Sequence, residues 1–318
     1  TICFTLSPIH NLANYVKLGR ELESMGVNSI CVKDMAGIMS PKQAFDLVSA
    51  LKQSVSLPIV VHTHSTTGLG PMTLLKAAEA GADGIDTAIS SFSGGTSQPS
   101  TESLNYALRE MGFETGLKDN VLKQINDFFK IVRGKYIEAG LLDPLVLSTE
   151  TDALVYQIPG GMLSNLISQL KEQNAVDKLE AVLAETPRVR KDLGYPPLVT
   201  PMSQMVGVQA ANNVLSGERY KIISSEVKAY LRGEYGKAPG EIDPGLIAKV
   251  LGGEKPITGR YAETLAPEFE QAKAKLAGIA ESDEDVLSYL AFPQIAGKFF
   301  EKRAEKRSNR VTYSIRQI

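Results

Sequence analysis

The strongest constraint in this chain is an alternation. Three apolar runs at residues 29–32, 59–61 and 84–89 stand at nearly even spacing, each bounded by turn residues and followed by a helical pattern. A further apolar run, Ile2-Cys3-Phe4-Thr5-Leu6, opens the chain. Buried parallel strands read as short continuous apolar runs, and each needs a crossover helix before the next. The pattern therefore predicts consecutive βα units of one parallel sheet.

In detail, the expected strands are 1–6, 28–34, 57–64 and 82–90. Leu12, Tyr15, Val16, Gly19, Leu22 and Met25 recur at helical spacing after the first, and Gly26 suits the left-handed end of that helix. Ser40-Pro41 supplies an N-cap and a first helical position for a helix through Phe45, Leu47, Val48 and Leu51. A helix over 68–80 follows the third strand. After the fourth comes a loop of small residues, 91–98, and a helix opened by Pro99-Ser100-Thr101-Glu102. Phe92 in that loop reads as packing, and the small residues as room for another part of the chain to approach rather than as a phosphate cradle.

Four such units are half of a closed barrel, which takes eight. The expected fold is α/β: the second half of a TIM (β/α)8 barrel at 1–112, then a mostly helical region at 113–318 packed over the barrel mouth. Helical patterns run over 117–139, 162–173, 176–185, 203–215, 224–235 and 283–303, and a basic tail from Lys302 to Arg310 reads as frayed. The chain starts at Thr1 directly in an apolar run, without methionine, so we expect it to be cut from something longer.

Composition excludes more than it proves. A formal net charge of −2 leaves no footprint for nucleic acid or an anionic membrane surface. No apolar run approaches the roughly 18 residues that span a bilayer. Cys3 and Cys31 lie in expected strands at a spacing that fits no metal pattern, so they read as buried free thiols of a cytoplasmic protein.

In β/α barrels the C-terminal ends of the strands carry the chemistry. His62 and His64, two of only three histidines, are two apart on a strand and so share a face. They read either as ligands of a divalent transition metal such as zinc or as a hydrogen-bonded polar layer. Lys33 ends the preceding strand, where an apolar residue is expected. Three readings stand open: a carbamate that ligates the metal, an ion pair with Asp34 or Asp86, or a Schiff-base amine.

Three motifs, Lys33-Asp34-Met35-Ala36-Gly37, His62-Thr63-His64-Ser65-Thr66-Thr67-Gly68 and Asp86-Thr87-Ala88, resemble those of the biotin-dependent carboxyltransferases acting on pyruvate and oxaloacetate. This family includes oxaloacetate decarboxylase α subunits, the transcarboxylase subunit acting on oxaloacetate, and pyruvate carboxylase B subunits. The resemblance continues through Pro159-Gly160-Gly161-Met162 and the segment from Leu198 to Gly207. It implies a metal held by N-carboxylated Lys33, His62 and His64, zinc first, with cobalt or manganese as alternatives. The family's fourth protein ligand, an aspartate ending the first barrel strand, is missing from this chain, as are its substrate-binding arginine and glutamine.

The resemblance also implies that Thr200 shuttles a proton between biotin and pyruvate, and that Ser203 and Gln204 lie in the biotin pocket. Read alone, Thr200 is a helix N-cap before Pro201. Pyruvate carboxylases often carry lysine where Gln204 stands, which leans toward the decarboxylase or transcarboxylase type. No Ala-Met-Lys-Met biotinylation motif occurs, so the expected partner is a separate biotin carboxyl carrier protein. The implied reaction moves a carboxyl group between oxaloacetate or pyruvate and biotin through a metal-stabilised pyruvate enolate. A homodimer is implied too, and membrane decarboxylase subunits are a further partner that some members take. The rivals are a metal-dependent aldol or Claisen-type barrel of the hydroxymethylglutaryl-CoA lyase group and a non-catalytic fragment that needs its N-terminal half.

Overall fold

A computed structural model describes residues 1–156 and 160–307. Contacts divide the chain into two compact units, Thr1–Pro256 and a second that begins at Ile257.

The first unit opens with four parallel strands in the order of the chain: β1 (Ile2–Cys3), β2 (Ile30–Asp34), β3 (Ile59–Thr63) and β4 (Gly84–Ile85). Helices α1 (Leu12–Ser24), α2 (Pro41–Ser54) and α3 (Gly70–Glu79) connect them. The expected βα alternation is therefore present, with shorter strands than the apolar runs suggested. In α2, Ser40 and Gln43 form a reciprocal capping box, and Pro41 takes the first turn, where its missing N–H costs nothing.

Alternation along the strands splits the sheet into two faces. Ile30, Val32, Asp34, Ile59, Val61 and Thr63 are buried. The apolar ones share a core with Tyr15, Leu47, Val48, Leu51, Leu74 and Ala77 of the three helices. Full burial of each such Leu or Ile contributes about 1.5–3 kcal/mol, which fixes the register of the sheet. The opposite face carries Cys31, Lys33, Val60, His62 and His64, all only partly buried. Both cysteines are free and partly exposed rather than buried, because they alternate onto this second face.

The expected fourth strand stops early. It pairs with β3 only at Val60↔Gly84 and Val61↔Ile85. Beyond Asp86 the backbone turns to its own loop, where Ala88 N donates to Pro99 O at 2.9 Å and Thr101 N to Ala88 O at 2.8 Å. Helix α4 (Thr101–Glu110) then starts from Ser100, as expected.

The rest of this unit is helical: α5 (Asp119–Glu138), α6 (Asp152–Tyr156), α7 (Gly160–Glu172), α8 (Leu179–Asp192), α9 (Met202–Leu215), α10 (Ser225–Leu231) and α11 (Pro244–Leu251). Pro159 of the expected Pro-Gly-Gly-Met motif lies outside the described residues. Helix α8 continues seven residues past its expected end at Glu185 and carries Pro187 inside it. Burial of Val182, Val189 and Leu193 outweighs the local cost of the proline.

Part of this helical region touches the sheet's loops directly. Glu150 N donates to Thr66 O at 2.7 Å, and Thr96 N to Val146 O at 2.9 Å. Arg190 of α8 is buried and donates to Leu6 O at 2.7 Å, Thr5 Oγ1 at 2.8 Å and Pro196 O at 3.1 Å.

The second unit holds α12 (Phe269–Lys275), α13 (Asp283–Ala291) and α14 (Pro293–Arg307). The single helix expected over 283–303 is broken at Phe292, the residue before Pro293, because a residue preceding proline is driven out of the helical region. Residues from Lys302 to Arg307 belong to α14 rather than to a frayed tail. There Arg303 pairs with Asp285 at 2.7 Å and Arg307 donates to Glu281 at 2.9 Å.

Candidate active site

His62 and Lys33 are direct register partners on neighbouring strands, and Lys33 in turn pairs with Cys3. Because the side chains of His62 and His64 leave the same face of the chain, the two imidazoles meet. Their Nε2 atoms are 3.2 Å apart, with ring centroids at 5.2 Å and planes inclined by 59°.

The outer nitrogens are both engaged. His62 Nδ1 lies 2.8 Å from Asp86 Oδ2, and His64 Nδ1 lies 2.6 Å from the carbonyl oxygen of Thr96. A carbonyl only accepts, as does an ionised carboxylate, so each Nδ1 carries the hydrogen. Both Nε2 atoms then face one small volume. Burial lowers the pKa of His64, the bond to Thr96 opposes that shift, and nearby charge on His62 and Lys33 adds to it. The neutral ring is the ligating form.

Loop chemistry holds this pair in place. Asp34 is fully buried and accepts from Ile38 N at 3.1 Å, Met39 N at 2.8 Å and Thr63 Oγ1 at 2.9 Å. Its backbone oxygen takes His64 N at 3.1 Å, so the end of β2 fixes the end of β3. Gly37, at φ +66°, passes so close that a Cβ there would sit 2.5 Å from His64 O. Gly95, at φ +51°, lies against the backbone of Val146 and Leu147 and leaves no room for a side chain. The small residues of this loop do admit another segment, and Phe92 packs edge-on against Phe129 at 5.8 Å.

The readings of Lys33 narrow here. Asp86 is taken by His62 and Asp34 by two amides and Thr63, so neither proposed ion-pair partner is directed at the lysine. Among the described residues no group of three or more His, Cys, Asp or Glu is close enough together to hold a metal ion. The imidazoles fit as two donors, and Lys33 stands beside them as the register partner of His62. The Thr96 carbonyl and Gln98 were not recognised as parts of the site, and Asp86, expected beside Lys33, turns out to serve His62 instead.

A second group lies on α9. Pro201 occupies its cap position with no side-chain cap bond, so Thr200 is not the N-cap that its sequence suggested. Proline's ring disfavours helical geometry in the residue before it, which leaves Thr200 one step outside and exposed. Ser203 and Gln204 line a cavity of about 350 Å³ together with Met162, Asn165 and Gln169 of α7 and Pro201. Ser203 is buried, and Gln204 is exposed at the rim. None of the hydrogen bonds among the described residues joins this group to the imidazole pair.

A parallel β/α sheet presenting paired imidazoles at its strand ends has the site architecture of barrel enzymes. Residues 153–316 match the family described as a conserved carboxylase domain, and residues 3–129 match the HMGL-like family. The chain is 55% identical over 309 residues to the pyruvate carboxylase B subunit of Methanocaldococcus jannaschii, covering 96% of this chain and 54% of that protein. It is 47% identical over 314 residues to the methylmalonyl-CoA carboxyltransferase 5S subunit of Propionibacterium freudenreichii, covering 96% and 61%. Among solved structures it resembles the carboxyl transferase domain from Rhizobium etli pyruvate carboxylase with pyruvate and biocytin, at a TM-score of 0.82 and 31% identity, over 96% of this chain and 54% of that one. The chain belongs to the biotin-dependent carboxyltransferase family. It spans about half the length of the curated relatives it matches.

Proposed function

We propose that this chain carries part of an active centre that moves a carboxyl group between oxaloacetate or pyruvate and biotin borne on a separate carrier protein. The observation that carries the reading is the convergence of the His62 and His64 Nε2 lone pairs at 3.2 Å, on a chain whose relatives are pyruvate carboxylase and transcarboxylase subunits. A divalent cation held by both imidazoles and carboxylated Lys33 would supply positive charge beside the oxygen of a pyruvate enolate; zinc suits this donor set, with cobalt or manganese as alternatives.

The chain's own residues do the rest. Asp86 and Thr96 hold the imidazoles in one tautomer. Thr200, exposed and free of capping, relays the proton. As the N–C bond of carboxybiotin breaks and a C–C bond forms at the methyl carbon of pyruvate, that carbon's proton passes through Thr200 Oγ1 to the ureido nitrogen. Oxaloacetate decarboxylation runs the same transfer backwards. Ser203 and Gln204 flank the biotin ring, in a cavity within the usual size range for small ligands.

The proposal includes a division at 112/113, with the helical region up to Pro256 rimming the strand ends. The contacts of Val146, Glu150 and Arg190 support it. It includes a homodimer by family resemblance, and a cytoplasmic location resting on the two free thiols. Among the described residues no helix is long and apolar enough to cross a membrane, and membrane decarboxylase subunits remain part of the proposal by family resemblance alone.

The test mixes this chain with the missing N-terminal portion of a relative, carrier-bound carboxybiotin, zinc and pyruvate, and measures oxaloacetate. Carboxyl transfer that Thr200→Ala abolishes, with zinc binding and an added carboxyl mass on Lys33 retained, is the expected result. Zinc binding without any carboxyl exchange would sink it. A second reading, an aldol-type lyase, draws on the HMGL-like match over residues 3–129, and it predicts retro-aldol cleavage that needs no biotin carrier.

A further inference from the structure

The carboxamide of Gln98 occupies the mouth of the imidazole pair. Its Nε2 lies 3.3 Å from His62 Nε2 and 3.4 Å from His64 Nε2. An amide nitrogen only donates, so at these distances its two N–H groups are directed at the two ring nitrogens, which accept. The other end agrees: Ser97 Oγ donates to Gln98 Oε1 at 3.4 Å, which turns the NH2 toward the histidines. The backbone is tethered as well, with Gly94 N donating to Gln98 O at 3.0 Å and Ser65 N to Ser97 O at 2.7 Å. Gln98 is thus aimed at the pair by its loop rather than resting there by chance.

We infer that Gln98 is a positioning residue that competes with the cation for the two imidazole lone pairs. A cation bound by both Nε2 atoms must take those lone pairs from the amide. Gln98 then swings away, and its carboxamide is freed toward the open face of the sheet. The pair is held converged by one set of hydrogen bonds and surrenders them to the ion, which weakens cation binding. This rests on the proposed cation role of His62 and His64.

The experiment titrates the full chain with Co²⁺, read by its visible absorption, and with Zn²⁺ by competition with a chelator. Removing two modest hydrogen bonds from the competing arrangement is expected to tighten binding about tenfold in Gln98→Ala and in the bulkier Gln98→Leu. Unchanged or weaker binding in folded variants, with wild-type binding intact, would overturn the inference while leaving the cation reading standing. No binding by the wild type would remove that reading, and this one with it. A second readout needs no variant: the side-chain amide resonances of Gln98 should shift on adding Zn²⁺, and resonances that stay put while the His62 and His64 rings respond would also overturn it.

Discussion

Asp86 accepts the Nδ1 hydrogen of His62 at 2.8 Å, from the position just past the last residue of β4. A carboxylate behind a ligating imidazole fixes the ring's tautomer and raises its basicity. Asp86→Ala should therefore weaken Zn²⁺ binding by about tenfold, the lower end for such partners because this carboxylate is half exposed. Titration against a chelator measures it, and unchanged affinity would mean that Asp86 only decorates the strand end.

Gly37 and His64 make a close backbone approach in the site. Gly37→Ala imposes a left-handed conformation on a residue with a Cβ, at about 1–2 kcal/mol, and drives that Cβ onto His64 O. Urea unfolding should show a loss of about 2 kcal/mol or more. Zn²⁺ affinity should fall with it, since His64 must move. A variant of wild-type stability would refute the contact.

Arg190 ties the loop after β1, through Thr5 Oγ1 and Leu6 O, to the segment after α8, through Pro196 O. Burial lowers its pKa. Arg190→Met strips a buried carbonyl pair and a hydroxyl of their donor, at about 2–4 kcal/mol after the relief of desolvating the charge. Equilibrium unfolding of the first unit reads this directly. A neutral result would show that water replaces the guanidinium.

His10 makes the fold sensitive to acid. Burial, with the nearby charge of Arg190 second, lowers its pKa to about 4 from an ordinary value of 6.5. Between those values the unfolded chain takes up a proton that the folded one refuses, so stability is full above 6.5 and declines as pH falls toward 4. Thermal melts from pH 8 to 4 should show this decline, and His10→Asn should flatten it. An equally steep decline in the variant would assign the effect to other groups.

Much of the first unit was legible in the chain alone. The strands after Asn28 and Leu57, the Ser40 cap and the helix opening at 99–102 follow from apolar runs and local side-chain-to-backbone bonds, which involve residues a few positions apart. Helices α11 and α12 went unseen because each is short, eight and seven residues. Local rules misled at Pro187, where buried neighbours override helix propensity, and at Thr200, where proline displaces the expected cap.

The sequence by itself determined that His62 and His64 share a face, because strand side chains alternate with period two. It likewise determined that Lys33 lies near the C-terminal end of the preceding strand. Only the tertiary structure decided that the two Nε2 atoms meet at 3.2 Å, that Asp86, Thr96 and Gln98 surround them, and that Asp34 turns away into the core. The reason is range. Alternation is a property of neighbouring residues, whereas these partners stand 24 to 36 positions apart and come together only when parallel strands and their loops pack.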